Sequence, residues 1–452
     1  MSRSMMWKLL AVAVLALLLL IPLSMVRGLV AERQAYRADA LRSIADGTAG
    51  SQTLSGPVWV LPYRQQVTET VNATAGTVRT VWHEREIRVL PDKLAVAGKL
   101  GTEPLQLGIY QTRRYMADLT VTGLFKLPDL VQRDGEGPIE WGQPYLSVGI
   151  EDVRGIKASP IAQWAGGTTQ FAPGTRLKAL GGGIHASLPR HTGVAASVPF
   201  SFRLSLGGMD DLHVLPLGRD TEVSLQSEWR HPSFVGRFLP EMRKTGDEGF
   251  TARWRTSWFA SNLNERFDQC AISAECDAMN SSSLGVRLID PVDVYLQSDR
   301  AGKYGFLFVF LTFSTFFLTE VLKRVSIHPV QYGLVGLSLA VFFLLLLSFA
   351  EQLQFAPAYV LAAAACVLQN GFYASHALGS RWRGLGFAAL LSGLYGMLYL
   401  LLRSEDFALL LGSLLIFGLL TVVMVLTRKL DWYELGSDNS ADYVKVAQGS
   451  EA

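Results

Sequence analysis

Apolar positions along this chain follow two patterns that call for different solvents. From Trp7 to Val26 the run is broken only by Lys8 at its start and by Pro22 and Ser24 near its end. That is close to the roughly 20 residues a helix needs to cross the hydrocarbon of a bilayer. Five more apolar runs follow, at Tyr304–Leu322, Val330–Phe349, Phe355–Tyr373, Leu385–Leu402 and Phe407–Thr427, with connections too short to hold another domain. The pattern predicts a transmembrane bundle of six helices, one plus five. The first run exceeds the 7–15 residues typical of a signal-peptide core and lacks a small-residue cleavage site, so it is expected to stay as an anchor.

Between Leu29 and Lys303 the period changes. Ala31 to Ile44 is charged and alanine-rich, as if the first helix continued into water, and after it apolar residues recur every second position. Phe200, Phe202, Leu204 and Leu206 alternate with Ser201, Arg203 and Ser205. Tyr115, Ala117, Leu119, Val121 and Phe125 stand opposite Thr120 and Thr122; Phe250, Ala252, Trp254 and Trp258 stand opposite Arg253 and Arg255. Leu105-Leu107-Ile109 and Val223-Leu225 fit the same alternation, with turn signals at Gly207-Gly208, Pro216 and Gly218. Such half-buried strands without βαβ alternation predict a β-rich domain resembling an antiparallel sandwich. A division into two halves is placed at Gly181-Gly182-Gly183, since a glycine run suits a strand interior poorly.

Charge orients the membrane part. Lys323-Arg324, Arg381 with Arg383, and Arg428-Lys429 occupy alternate connections, while the intervening ones carry Glu351 or the mixed set Arg403, Glu405 and Asp406. Basic residues gather on the cytoplasmic side of spans. With Arg3 and Lys8 inside, both termini are cytoplasmic and the large domain is periplasmic, in the inner membrane of a Gram-negative cell. The expected divisions are 1–28 for the anchor, 29–303 for the periplasmic domain, 304–430 for the five-helix bundle and 431–452 for a disordered tail. A net charge of +2 over 452 residues gives no reason to expect a nucleic-acid partner.

Candidate chemistry is sparse. Cys270 and Cys276 are six apart in a stretch assigned to an oxidising compartment, and the spacing leaves a disulfide and two free thiols both open. Cys366 reads as a small core residue. His185 and His191 have no ligand-type neighbours, so no metal or other cofactor is expected and both histidines are assigned to the surface. Asp210-Asp211 and Glu84 with Glu86 read as solvated carboxylates, and no nucleophile elbow accompanies the serines and histidines. In the bundle, Glu320 precedes Lys323 and Arg324 by three and four positions, favouring an ion pair on one helix face over a proton relay. His328-Pro329-Val330-Gln331-Tyr332 reads as a rigid helix connection, with docking of a cytoplasmic partner through His328 and Gln331 as its functional alternative. Thr312, Ser314, Thr315, Thr319, Gln369 and Asn370 suit hydrogen bonding between helices.

Several stretches together resemble one family. Phe316 to Gly336 reads FFLTEVLKRVSIHPVQYGLVG, Arg383 to Leu390 reads RGLGFAAL, Ser404 to Leu414 reads SEDFALLLGSL, and Asp431-Trp432-Tyr433 follows. His231-Pro232-Ser233-Phe234, Phe238-Leu239-Pro240 and Trp258-Phe259-Ala260 add to these in the outer domain. Over nearly its whole length the chain resembles the inner-membrane protein CreD family, associated with the Cre two-component regulatory system. The resemblance implies a link to envelope stress, β-lactam susceptibility and colicin tolerance, and it implies no agreed catalytic or transport activity and no transferable site. The expectation is a non-enzymatic envelope protein, embedded in the lipid bilayer, whose outer domain binds a periplasmic protein, peptidoglycan or a lipid-linked partner. A lipid or small-solute transporter or flippase built on the bundle is the alternative, and neither oligomeric state nor ligand is fixed.

Overall fold

The computed structural model describes residues 3–72, 77–108, 110–127, 137–190, 196–273, 275–288, 294–323, 328–377, 379–403 and 408–428. The chain forms two compact units, one of residues 39–291 and one of residues 1–38 with 292–452.

The first unit is β-rich. Its strands form one long hydrogen-bonded path: Pro232–Gly236, Leu284–Leu288, Asp211–Leu215, Gln52–Asn72, Tyr145–Ile150, Gly183–Ser187, Gly167–Pro173, Ile161–Trp164, Ala196–Met209, Tyr110–Leu127, Lys93–Leu107, Asp220–Ser227, Gly249–Ser257 and Met242–Gly246. Thr77–Val89 and Ile139–Trp141 pair with Gln52–Asn72 off this path. The path turns back on itself, because Trp59 from one arm meets Phe125 and Trp164 from the other at ring separations of 6.0 and 5.1 Å. One core cluster therefore collects the inward side chains of both arms.

The alternation that suggested strands is the alternation of burial. Phe202, Leu204 and Leu206 pair with Val121, Leu119 and Ala117, and all six are buried. Gly123 faces Phe200, and a Cβ there would lie 2.2 Å from the Lys93 carbonyl oxygen, so only glycine admits this approach. Four expectations change. The sheet is mixed, since Gln52–Asn72 runs parallel to Asp211–Leu215 and Asp220–Ser227 parallel to Lys93–Leu107. Trp258 leaves its strand and opens a single helical turn, Trp258–Ser261. Leu107 lies 45% exposed at the far end of a hairpin, beyond the core, and Ile109 is outside the described residues. No division accompanies the glycine run: Gly183 opens a strand in the middle of the sheet and pairs with Gly149.

The second unit is helical. Arg3–Leu18 and Leu20–Gly47 follow each other with an interruption at Leu19, three residues before Pro22. Proline has no N–H for the carbonyl four residues earlier, which loosens the turn there. The later helices are Val294–Lys303, Gly305–Lys323, Pro329–Ala350, Phe355–Ala377, Arg381–Arg403 and Ala408–Thr427. Among the described residues four helices are long and apolar enough to cross a membrane: Leu10–Gly47, Pro329–Ala350, Phe355–Ala377 and Arg381–Arg403. Their packing is aromatic. Tyr332 is buried between Phe313 and Phe316, and Phe316 meets Phe387 edge-on at 4.5 Å. Small residues let the backbones close up, as at Gly384, where a Cβ would lie 2.5 Å from that of Ser375.

Candidate functional site

The sequence candidates in the bundle resolve into structural roles where they are described. His328 caps Pro329–Ala350: its Nδ1 accepts from the Val330 amide at 3.3 Å, and the Gln331 side-chain oxygen accepts from the His328 amide at 3.2 Å. The Glu320 and Lys323 side chains and all of Arg324 lie outside the described residues, so the ion pair expected of them has no geometry here. Asn370 is buried and donates to Ser338 Oγ and to the Cys366 carbonyl, both at 2.8 Å, whereas Gln369 is exposed. Thr312 and Thr315 return their hydroxyls to their own helix, at Phe308 and Leu311. A contact the sequence did not suggest joins Glu351 to Arg33 at 3.5 Å and to the Tyr295 hydroxyl at 3.4 Å.

In the β-rich unit, Cys270 and Cys276 are joined by a disulfide, their Cα atoms 4.6 Å apart. His185 is not at the surface. It is 5% exposed and its Nδ1 lies 2.6 Å from the Gly174 carbonyl, because Gly183–Ser187 is a central strand covered on both faces. His191 lies outside the described residues, which contain no cluster able to hold a metal ion.

The structure does assemble a serine, a histidine and an aspartate. Ser283 Oγ lies 3.3 Å from His213 Nδ1, and His213 Nε2 lies 3.6 Å from Asp211 Oδ2. Arg287 from the adjacent strand takes both carboxylate oxygens of Asp211, at 2.7 and 2.9 Å. Burial by itself would raise the Asp211 carboxyl, but the hydrogen bonds and charges of His213 and Arg287 outweigh it and hold it at about 2. Arg287 counters the Asp211 charge with two hydrogen bonds, and Ser283 is buried under the strand edge, 8% exposed. This is a closed network that clamps Asp211–Leu215 to Leu284–Leu288.

An open site lies elsewhere in the same unit. A groove of about 890 Å³ is bordered on one side by Ile87 to Asp92 and on the other by Lys126, Leu127, Ala196 and Ser197; Leu217 to Arg219, Trp258, Ser261, Leu263, Asn264 and Asp268 close its end. Local sequence builds that end wall. Gly249–Ser257 stops at Ser257, one helical turn follows, and Asn262 takes the left-handed conformation (φ 48°) that asparagine tolerates. The chain reverses there into Leu263–Ser273. Leu263, Phe267 and Cys270 of that helix are buried, leaving Asn264 and Asp268, one turn apart, on the groove side. The disulfide ties down the far end of the same helix.

Backbone bonds brace the wall, with the Arg219 amide donating to Pro91, Asp220 to Asp92 and Trp258 to Arg219. Asp92 is matched by Lys126 at 2.7 Å and by Arg219 at 4.0 Å, and the Arg219 guanidinium covers the Trp258 ring at 4.1 Å. Two polar groups of the wall, one buried and one exposed, have no partner among the described residues. Ser261 is 2% exposed and its hydroxyl has no hydrogen-bond partner among the described residues. Asp268 has no hydrogen bond or ion pair among the described residues, and burial raises its carboxyl, with only the more distant charge of Arg88 opposing. A second depression, of about 860 Å³ beside Tyr63, Glu84 and Trp141, is floored by completed pairs, Arg64 with Glu140 at 3.0 Å and Arg88 with Glu86 at 2.8 Å. The first groove, where apolar Leu90, Leu127, Leu217 and Leu263 stand beside charged Asp92, Lys126 and Asp268, is the candidate site. Sequence reasoning passed over it, although Trp258-Phe259-Ala260 borders Ser261.

Comparison with known proteins matches residues 4–433 to the family described as inner membrane protein CreD. The protein of that name from Escherichia coli (strain K12) is 36% identical over 428 residues, covering 94% of this chain and 93% of that relative.

Proposed function

Because the chain belongs to the CreD family of inner-membrane proteins, we propose that it is a non-enzymatic envelope protein whose β-rich unit lies in the periplasm and binds an envelope partner in the Ile87–Asp268 groove. The observation that carries this reading is the groove itself, a concavity of about 890 Å³ in which Leu90, Leu127, Leu217 and Leu263 stand beside the charged Asp92, Lys126, Arg219 and Asp268. The link of the family resemblance to envelope stress and the β-lactam response belongs to the same reading.

The topology proposed with it has six spans, adding Gly305–Lys323 and Ala408–Thr427 to the four long apolar helices, and cytoplasmic termini. The alternation of basic connections supports it. The polar residues of the bundle favour no transport path, since Asn370, Ser338 and Thr312 satisfy one another or their own helices.

A photocrosslinking amino acid at Asn264 in living cells tests the binding role, with the same probe at exposed Glu241, which does not line the groove, as reference. Reproducible adducts from Asn264 and none from Glu241 are expected. Equal yields at both positions, or none at either, would remove the groove from the account. An impermeant maleimide labelling a cysteine at Gln352 but not one at Ser380 in intact cells is the expected topology result; the reverse would invert the orientation.

A further inference from the structure

We infer that two copies of this chain associate in the bilayer through the outward face of Phe355–Ala377, where the Gln369 side-chain amides of the two copies hydrogen-bond to each other. This interface belongs to the helical unit and does not depend on the groove.

Phe355–Ala377 is one of the four helices long and apolar enough to cross a membrane, in a chain of an inner-membrane family. Gln369 lies three residues beyond its midpoint, about 4.5 Å along the axis. Side chains on a helix tilt toward its N-terminus, so Gln369 reaches back toward the midpoint and not out to the nearer end. It is exposed, and it has no hydrogen-bond partner among the described residues. Its neighbour differs: Asn370 is buried and donates to Ser338 Oγ and the Cys366 carbonyl. Exposed hydroxyls on the later helices are satisfied too, since Ser392, Ser413 and Thr421 donate to carbonyls of their own helices at 2.8, 2.9 and 2.9 Å. Hydrocarbon offers an amide neither donor nor acceptor, so Gln369 calls for a protein group at its depth.

The surrounding face is shaped for another helix. Leu361, Ala365, Leu368 and Phe372 are exposed, Leu368 and Phe372 at 72% and 71%. Their spacing of four, three and four residues draws one apolar stripe along the helix, the spacing of left-handed helix pairs. Ala365, one turn before Gln369, lets a second backbone come close. The helix contains no Asp, Glu, Lys or Arg, so nothing on this face selects an ion-paired partner. A second copy meets every requirement. Copies inserted in one direction are related by a twofold axis along the membrane normal, which brings both Gln369 residues to the same depth. A carboxamide carries a donor and an acceptor, so two identical amides complete each other.

The test uses full-length chains carrying donor or acceptor fluorophores at the C-terminus, mixed in liposomes over a range of protein-to-lipid ratios. Energy transfer between chains is expected and should fade on dilution with lipid. Q369L should need about tenfold more protein per lipid for the same transfer, as loss of two interhelical hydrogen bonds implies. Q369N keeps the amide and should stay nearer the parent, and L344A, on the exposed face of a neighbouring helix, should match it. In a chain whose buried Cys366 is replaced by alanine, oxidation should join A365C to A365C between chains and leave L344C monomeric. Energy transfer unchanged by Q369L, or absent at every ratio, would overturn the interface. So would equal crosslinking at both cysteine positions, or crosslinking of A365C within its own chain or to a different protein in place of a second copy.

Discussion

Replacing Ser261 with alanine should make the β-rich unit more stable. The Ser261 hydroxyl is buried with no hydrogen-bond partner among the described residues, and an unmet buried polar group costs about 1–3 kcal/mol. Alanine removes the oxygen and forfeits the few dispersion contacts it made, each worth about 0.1–0.2 kcal/mol. The expected net gain is about 1 kcal/mol. Thr256 supplies a matched comparison, since its Oγ1 is also buried without a partner among the described residues but it does not line the groove.

Seven of the ten tryptophans lie within residues 39–291, so intrinsic fluorescence during urea unfolding reports chiefly on the β-rich unit. With a denaturant slope of about 2.5 kcal/mol/M for a unit of this size, the gain corresponds to a midpoint about 0.4 M higher. Both S261A and T256V should show that shift. A midpoint lowered by S261A would mean that the hydroxyl is already satisfied in the folded protein.

Three further outcomes follow from the other contacts. The Asp211 carboxyl is held at about 2, below its ordinary 3.8, so its stabilisation is complete above about pH 4 and disappears as pH falls toward 2; after discounting for solvent screening it is worth about 1 kcal/mol, and urea midpoints measured from pH 5 to 2.5 should fall less steeply in D211N than in the parent. Joint replacement of Cys270 and Cys276 by serine opens a short loop and should cost about 2 kcal/mol on the chain-entropy model; a midpoint unchanged by the double substitution would show that the helix wall does not depend on the disulfide. N370A leaves Ser338 without its 2.8 Å donor inside the bundle and should cost about 1 kcal/mol, read as faster loss of the helical circular dichroism signal on heating in detergent; an unaffected rate would show that this pair does not hold the helices together.

Much of this architecture is legible along the chain because it depends on local period. The Phe200–Leu206 and Tyr115–Phe125 alternations are two neighbouring strands whose apolar residues lie opposite one another, and the apolar runs after Tyr304 correspond to helices that begin and end within a few residues of them. Failures occur where distant segments decide. The parallel neighbours Gln52–Asn72 and Asp211–Leu215 are separated by most of the unit, and nothing local to either strand specifies the pairing. His185 was assigned to the surface by residue type, but its strand is covered on both faces and alternation vanishes there. The groove draws Ile87, Lys126, Ala196, Arg219, Ser261 and Asp268 from widely separated stretches, so no sequence window contains it.

The two polar constellations of the β-rich unit show why geometry has to be read together with satisfaction. By residue type Ser283, His213 and Asp211 look like chemistry, yet Arg287 occupies both Asp211 oxygens and the serine is covered. The contacts that are made join two strands. By residue type Ser261 looks like nothing, yet its buried hydroxyl lacks, among the described residues, the bond that folding normally supplies to such a group. Local departures from full satisfaction are where a folded chain retains capacity to interact. In this protein such a departure lies in the wall of a groove that joins apolar and charged side chains, whereas the Ser283 network lies closed beneath a strand edge.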